Sequence, residues 1–369
     1  MLYHLLTPLA DKIGFFRLFG YITFRAALAT ILAMLTIFVF GPMIIRWLKR
    51  KQFTEKTRDD GPEHHKTKES TPTMGGIIII LAIALPTLLL ADLTNRYVLM
   101  SLIVMIGLGL LGFLDDYLKN VKGRPLGLIA RYKLIGQALI GLGIGAILYF
   151  FPLDPGHSTI LTVPFFKDVA IDLGWGYIPF VAFVIIGFSN AVNLTDGLDG
   201  LAIGGTLFSG LAYAVFIYVA GHAVFANYLE VTFLQDIGEL TIFVTALVGA
   251  SLGFLWFNSH PAEVFMGDTG SLALGGTIAT MAIFSKQELL LVVVGGVFVL
   301  EALSVMLQVG YYKVTKGKGP NGEGKRLFRM APLHHHFEMK GWAESKVIVR
   351  FWIIAAMCAL VAISTLKLR

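Results

Sequence analysis

Ten apolar, charge-poor runs follow one another along this chain, near residues 23–45, 74–92, 97–114, 134–151, 175–192, 198–220, 238–257, 268–285, 288–310 and 347–366. A helix needs about 20 such residues to cross a bilayer. In lipid every backbone polar group must be satisfied inside the segment, so runs of this kind span as helices. Ten spans use roughly 200 residues, a little over half of the 369 present, and 56% of the chain is hydrophobic. Only 15% is charged, against about 25% in soluble domains, which excludes a water-facing enzyme surface. One Cys and 28 Phe exclude disulfide-rich and disordered classes. The expected fold is an all-α polytopic membrane protein of about ten transmembrane helices, one domain over 1–369. The 268–285 run, rich in Gly and Thr, is the weakest of the ten.

Charge placement orients the chain. Loops 46–73, 115–133, 193–197, 258–267 and 311–346, with Arg350 just inside, carry 22 of the 30 Lys and Arg. The positive-inside rule puts these loops in the cytoplasm and both termini outside, in the periplasm. The net charge of +6 then belongs to the membrane rim, and no nucleic-acid partner is expected. Loop 152–174 is the long outer one, and Pro152, Pro155, Gly156 and Pro164 suggest turns around a small hairpin. Asp11, Lys12 and Arg17 interrupt the first residues, so no cleavable signal is expected. Phe15, Phe16, Phe19 and Tyr21 make that stretch an interfacial lead-in. Cys358, in the last apolar run, reads as an inert thiol.

Acidic residues are scarce, and several gather at the cytoplasmic ends of the runs. Ionisable groups at membrane depth are expensive and point to function. Asp115 and Asp116 end the third run, where the helix macrodipole disfavours carboxylates. A divalent cation would relieve that penalty, and Mg²⁺ suits carboxylate and phosphate oxygens. Lys119 lies on the same helical face as Asp115; a solvated helix end with a local ion pair is the competing reading. Asp196 and Asp199 fit either an N-cap with a capping-box-like partner for the next helix, or a ligand-receiving N-terminus opened by Gly197 and Gly200. Asp268 is a helix cap or a metal ligand. Asn190, Asn193 and Asn258 are caps or donors to a base or sugar. Lys68 is a phosphate contact or a solvated basic residue. His334, His335 and His336 cannot all point one way; hydrogen bonding to phosphate or sugar is preferred to structural zinc, since no Cys accompanies them.

Some signals are set aside. Gly107-Leu108-Gly109-Leu110-Leu111-Gly112 matches a dinucleotide fingerprint but lies in an apolar helix with no preceding strand, so helix packing explains it. Gly141 and Gly145 read as a small-residue packing face. Asn193-Leu194-Thr195 fits a glycosylation sequon but falls on the cytoplasmic side. A transporter places its ionisable groups near the midplane; these sit at one rim, which favours chemistry on a ligand shared between water and lipid.

The motifs Thr71-Pro72-Thr73-Met74-Gly75-Gly76, Asp115-Asp116, Asn193-Leu194-Thr195-Asp196-Gly197-Leu198-Asp199-Gly200, Met266-Gly267-Asp268-Thr269-Gly270-Ser271 and Pro332-Leu333-His334-His335-His336-Phe337-Glu338 stand in one order over nearly the whole chain. In this the sequence resembles the polyprenyl-phosphate N-acetylhexosamine-1-phosphate transferase superfamily, and the triple-His motif resembles its muramoyl-pentapeptide branch more than its N-acetylglucosamine branch. The resemblance implies transfer of phospho-N-acetylmuramoyl-pentapeptide from UDP-MurNAc-pentapeptide to undecaprenyl phosphate, giving lipid I and UMP, with Mg²⁺ required, at the bacterial inner membrane; a GlcNAc-1-phosphate transferase is the alternative. It implies Asp268 as principal Mg²⁺ ligand with Asp196 near the metal. Asp115 and Asp116 would lie beside the lipid phosphate, Asp115 as its base. Asp199, Asn258 and Phe265 would line a uridine pocket, with Phe265 stacking on uracil. Lys68 and Lys119 would contact phosphates, and His334 and His335 would steady the diphosphate or sugar, with Asn190, Asn193 and His336 among the substrate contacts. Direct attack by the lipid phosphate is preferred, with a phospho-aspartate on Asp268 or Asp115 as the other route. Gly-rich faces leave a homodimer open.

Overall fold

A computed structural model describes residues 1–9, 11–51, 53, 71–124, 127–164, 169–317 and 323–367. Each apolar run contains a helix. In chain order these long helices are α1 (Ile22–Arg50), α2 (Gly76–Leu90), α3 (Arg96–Asn120), α4 (Ala130–Phe150), α5 (Tyr177–Thr195), α6 (Leu201–Ala220), α7 (Leu240–Asn258), α8 (Gly267–Phe284), α9 (Gly296–Val314) and α10 (Glu344–Ser364). Among the described residues, eight helices are long and apolar enough to cross a membrane, so this is a multi-pass membrane protein. The two helices outside that eight are α2, which is apolar but short, and α8.

The reason α8 differs is packing. From Thr269 to Phe284 every one of its residues is buried. It runs through the middle of the bundle against α3 and α5, with α2 and α6 also touching it. Surrounded by protein, it needs small residues for close approach more than it needs greasy ones for lipid. The Gly and Thr that weaken its sequence signal are the residues its place requires. Thr277 and Thr280 turn their hydroxyls back to the carbonyls of Ala273 and Gly276, which satisfies them inside the core.

Glycine faces set the helix spacing as expected. Gly141 and Gly145 of α4 lie against the backbone of α5 at Ala182 and Ile178, closer than any side chain would allow. The glycines of the fingerprint-like run also face neighbouring helices, Gly107 against Ile140 of α4 and Gly109 against Ile80 of α2.

Before α1 the chain forms a short α-helix, Leu2–Leu6, and two 3₁₀ helices, Thr7–Leu9 and Gly14–Gly20. At this same end of the bundle, the loop between α4 and α5 forms an antiparallel hairpin, β1 (Ile160–Thr162) with β2 (Ala170–Asp172). Arg25 of α1 makes a buried bidentate pair with Glu239, which also accepts from the Asp92 backbone N–H. Lys286 donates to the Ser158 carbonyl at 2.8 Å and to the Tyr177 hydroxyl at 3.0 Å, and that hydroxyl donates to Glu288 at 2.7 Å.

Candidate active site

At the opposite end, the site is built around the N-terminus of α8. The last turns of α3 deliver Asp116 to it. The Asp116 carboxylate accepts the backbone N–H of Asp268 at 3.1 Å, that of Thr269 at 2.9 Å and the Thr269 hydroxyl at 2.6 Å. A helix start leaves orphan N–H donors and a positive dipole end, and this carboxylate answers both. Asp116 thus caps α8 from another helix. Asp268 is not the cap: it is the second residue of α8, and the position before the helix, Met266, makes no side-chain cap.

Two glycines permit this approach. A Cβ on Gly112, one turn before Asp116, would collide with the Asp268 carbonyl. A Cβ on Gly76 would collide with the Gly270 backbone. The lead into α2 is held by Gly75 N–H to Phe265 O at 2.8 Å and Gly76 N–H to Met266 O at 2.9 Å. Met74, fully buried here, has φ of 73°, a left-handed backbone that is unusual for a bulky side chain.

With α8 so placed, Asp268 faces Asp115 and Asp116, and one oxygen from each of the three lies within 4.8 Å of the others. Lys119 pairs with Asp115 at 2.6 Å and reaches Asp268 at 3.5 Å. Asp115 also accepts the Leu128 backbone N–H at 2.7 Å. Lys133, at the start of α4, pairs closely with Asp268. Asn193 donates to Asp268 at 3.0 Å and to the Ser271 hydroxyl at 2.8 Å. Three hard carboxylate ligands gathered at one point suit Mg²⁺, and two lysines beside them suit phosphate oxygens.

The Asn193–Gly200 stretch departs from its expected local structure. Asp196 is not the N-cap of α6. It ends α5, its N–H bonded to the Asn193 carbonyl at 3.3 Å, and α6 begins at Leu201 after Gly200 with φ of 79°. Gly200 in a left-handed conformation delays the start of α6, which leaves Asp196 outside a capping box. Asp196 is also not among the carboxylates that share space with Asp268; those are Asp115 and Asp116.

Asp199 belongs to a second group. It accepts from the Ala262 N–H at 3.1 Å and meets His260 Nδ1 at 3.1 Å, with Glu344 Oε2 3.6 Å from the same nitrogen. Asn258 accepts the Gly200 N–H at 3.1 Å and donates to the Val264 carbonyl at 2.8 Å, so its amide joins two loops. Phe265 is half-buried and its peptide is pinned between Pro72 and Gly75. Asn190 donates to Gln137 of α4 at 2.9 Å and to the Ile186 carbonyl at 2.8 Å, a helix-to-helix bridge.

The three histidines point three ways. His334 is fully buried with Nδ1 3.3 Å from Glu301. His335 meets Glu338 at 2.7 Å. His336 accepts the Arg329 N–H on Nδ1 at 3.1 Å. Burial, then Lys340 and Arg329, hold the His336 imidazole below its ordinary value, so it serves as a neutral hydrogen-bonding group at pH 7. Lys68 lies outside the described residues.

Lys133 is the site residue that sequence reading missed. A signal existed: Arg131 and Lys133 stand in the first turn of α4, where the macrodipole disfavours cations. Misplaced charge at that helix start carries the same message as Asp115 and Asp116 at a helix end.

An α-helical membrane bundle with a carboxylate–lysine site at one end defines the class, and sequence comparison supports it. The chain matches the glycosyl transferase family 4 over residues 98–286 and belongs to that family. Over all 369 residues, and over the full length of each relative, it is 56% identical to the phospho-N-acetylmuramoyl-pentapeptide-transferase of Pelobacter propionicus and 55% to that of Desulforapulum autotrophicum. The Citrifermentans bemidjiense enzyme of the same name is 54% identical over the same length.

Proposed function

We propose that this chain transfers phospho-N-acetylmuramoyl-pentapeptide from UDP-MurNAc-pentapeptide to undecaprenyl phosphate, giving lipid I and UMP, as a Mg²⁺-dependent enzyme of the bacterial inner membrane. The observation that carries the chemistry is the meeting of Asp115, Asp116 and Asp268 with Lys119 and Lys133 at one end of the bundle. The choice of substrate rests on the full-length relatives named for that activity. In this reading ten helices span, both termini are periplasmic and the site faces the cytoplasm, because most of the basic residues lie in the loops at the site end.

Mg²⁺ held by Asp268 would neutralise diphosphate charge as the bond to the leaving phosphate breaks. Asp116, with both oxygens engaged on α8, acts by position: it fixes the helix that carries Asp268. Lys119 and Lys133 hold phosphate oxygens in line. An oxygen of the lipid phosphate attacks the sugar-bearing phosphorus, the bond from that phosphorus to the oxygen of UMP breaks, and UMP leaves with the electron pair. Asp115 takes the proton of a singly protonated lipid phosphate. Asn193 holds Asp268 in orientation from α5. Lys68 and the group of Asp199, Asn258 and Phe265 complete the reading as phosphate and uridine contacts, with Asp196 beside the diphosphate.

The test offers purified protein both UDP-MurNAc-pentapeptide and UDP-GlcNAc with undecaprenyl phosphate and Mg²⁺. The expected product is lipid-linked MurNAc-pentapeptide with stoichiometric UMP. Exclusive use of UDP-GlcNAc would overturn the substrate assignment, and UMP release without lipid acceptor would replace direct attack by a phospho-enzyme.

A further inference from the structure

We propose that Glu301 is a positioning residue for this transfer: it sets the ring of His334, which braces the turn between Asp196 and Asp199. The proposal rests on the transferase reading above.

Glu301 sits in α9, within a segment long and apolar enough to span, and is 0% exposed. A carboxylate there is costly and calls for a specific partner. Among the described residues no Lys or Arg pairs with it; its partner is His334. One oxygen, Oε1, accepts the His334 backbone N–H at 3.1 Å. That N–H stands in the first turn of the short helix Leu333–Glu338 and would otherwise be an orphan donor. The other oxygen, Oε2, lies 3.3 Å from the ring Nδ1. A single side chain therefore holds the backbone of His334 by a hydrogen bond and sets a carboxylate oxygen beside its imidazole, a charge contact without hydrogen-bond geometry.

The far edge of the ring carries the consequence. His334 is 0% exposed, and its Nε2 lies where a Cβ on Gly197 would have to go. Gly197 follows Asp196 and stands two residues before Asp199. The ring fills the space that glycine leaves, so its placement sets the course of the turn carrying both carboxylates. A carboxylate beside Nδ1 draws the imidazole proton to that nitrogen. Nε2 then presents a lone pair toward Gly197, whereas an Nε2–H would be a buried donor with no acceptor there.

Glu301→Gln tests this with little change in shape. Its carbonyl can still accept the backbone N–H, but its amide faces Nδ1 as a donor and moves the imidazole proton to Nε2. The expected result is a kcat/KM for UDP-MurNAc-pentapeptide lower by about 10- to 100-fold. In a His334→Ala background Glu301→Gln should cost nothing further, because its effect runs through that ring. Nitrogen-15 NMR of the histidine rings, assigned by difference with His334→Ala, should find the proton on Nδ1 in the unsubstituted protein. A wild-type kcat/KM in Glu301→Gln, additive losses in the double variant, or an Nε2 proton would each overturn the proposal. If Glu301→Gln does not fold, the tautomer in the unsubstituted protein decides. Failure of the transferase reading looks different: the unsubstituted protein itself then releases no UMP.

Discussion

The two ends of this bundle use the same residue types to opposite effect. At the hairpin end buried charges of opposite sign pair off: Arg25 with Glu239, and Lys286 with Glu288 through Tyr177. At the other end Asp115, Asp116 and Asp268 face two lysines, Lys119 and Lys133, and the three carboxylates crowd together. Closed pairs tie helices to one another. Crowded acids at the start of a buried helix store an electrostatic cost that a cation and a phosphate can relieve. The contrast separates structure from chemistry without reference to residue type.

Substitutions at the two ends should therefore fail differently. The largest effect is expected for Asp268→Asn, which leaves the fold intact and lowers UMP release by about 10³-fold or more; full Mg²⁺-dependent turnover in this variant would collapse the contrast. Glu239→Gln should do the reverse. It strands the buried Arg25 and removes about 3–5 kcal/mol of stability, read as a lower melting temperature in detergent, while the folded fraction keeps its specific activity. Gly112→Ala tests the link between packing and site. Its methyl group meets the Asp268 carbonyl, so a stability loss of about 1–3 kcal/mol should come with a fall in turnover, and stability loss alone would show that α8 tolerates displacement.

The smallest effect concerns the hairpin. The Thr159 hydroxyl, at 2.6 Å, and the Gly174 N–H, at 2.9 Å, hold the Asp172 carboxyl below its ordinary range. A depressed carboxyl stabilises the fold above its unfolded pKa of about 3.9. That contribution is lost as pH falls through the lowered folded value. Amide exchange at Gly174 should accelerate in acid, and Asp172→Asn should remove the acid dependence without touching transfer.

Much of the fold was legible because apolar length is a one-dimensional signal. Every run contains a helix, and the glycine faces at Gly141 and Gly145 follow from spacing alone. The weakness of 268–285 was legible as well, but not its cause, since burial by neighbouring helices is decided by the whole bundle. At the site, Asp115 with Lys119 could be read from the spacing of four residues along one helix. The capping of α8 by Asp116 could not, because it joins positions 152 apart in sequence. Of the two readings of Asp196 and Asp199, the capping one fails for a local reason: Gly200 in a left-handed conformation starts α6 later than a capping pattern implies. Lys133 and Glu301 were visible as charges in unfavourable places, one at a helix start and one inside an apolar run. Only the folded arrangement says which partner each serves.

The most direct test of the contrast between the two ends is cation binding itself. Titrating the purified protein with Mn²⁺ as a paramagnetic substitute for Mg²⁺, without substrate, should find one site per chain that competes with Mg²⁺. Asp268→Asn should abolish that site and Glu239→Gln should preserve it. Unchanged Mn²⁺ binding in Asp268→Asn would contradict the assignment of a cation to the Asp115, Asp116 and Asp268 cluster, and with it the proposed division of labour between the two ends.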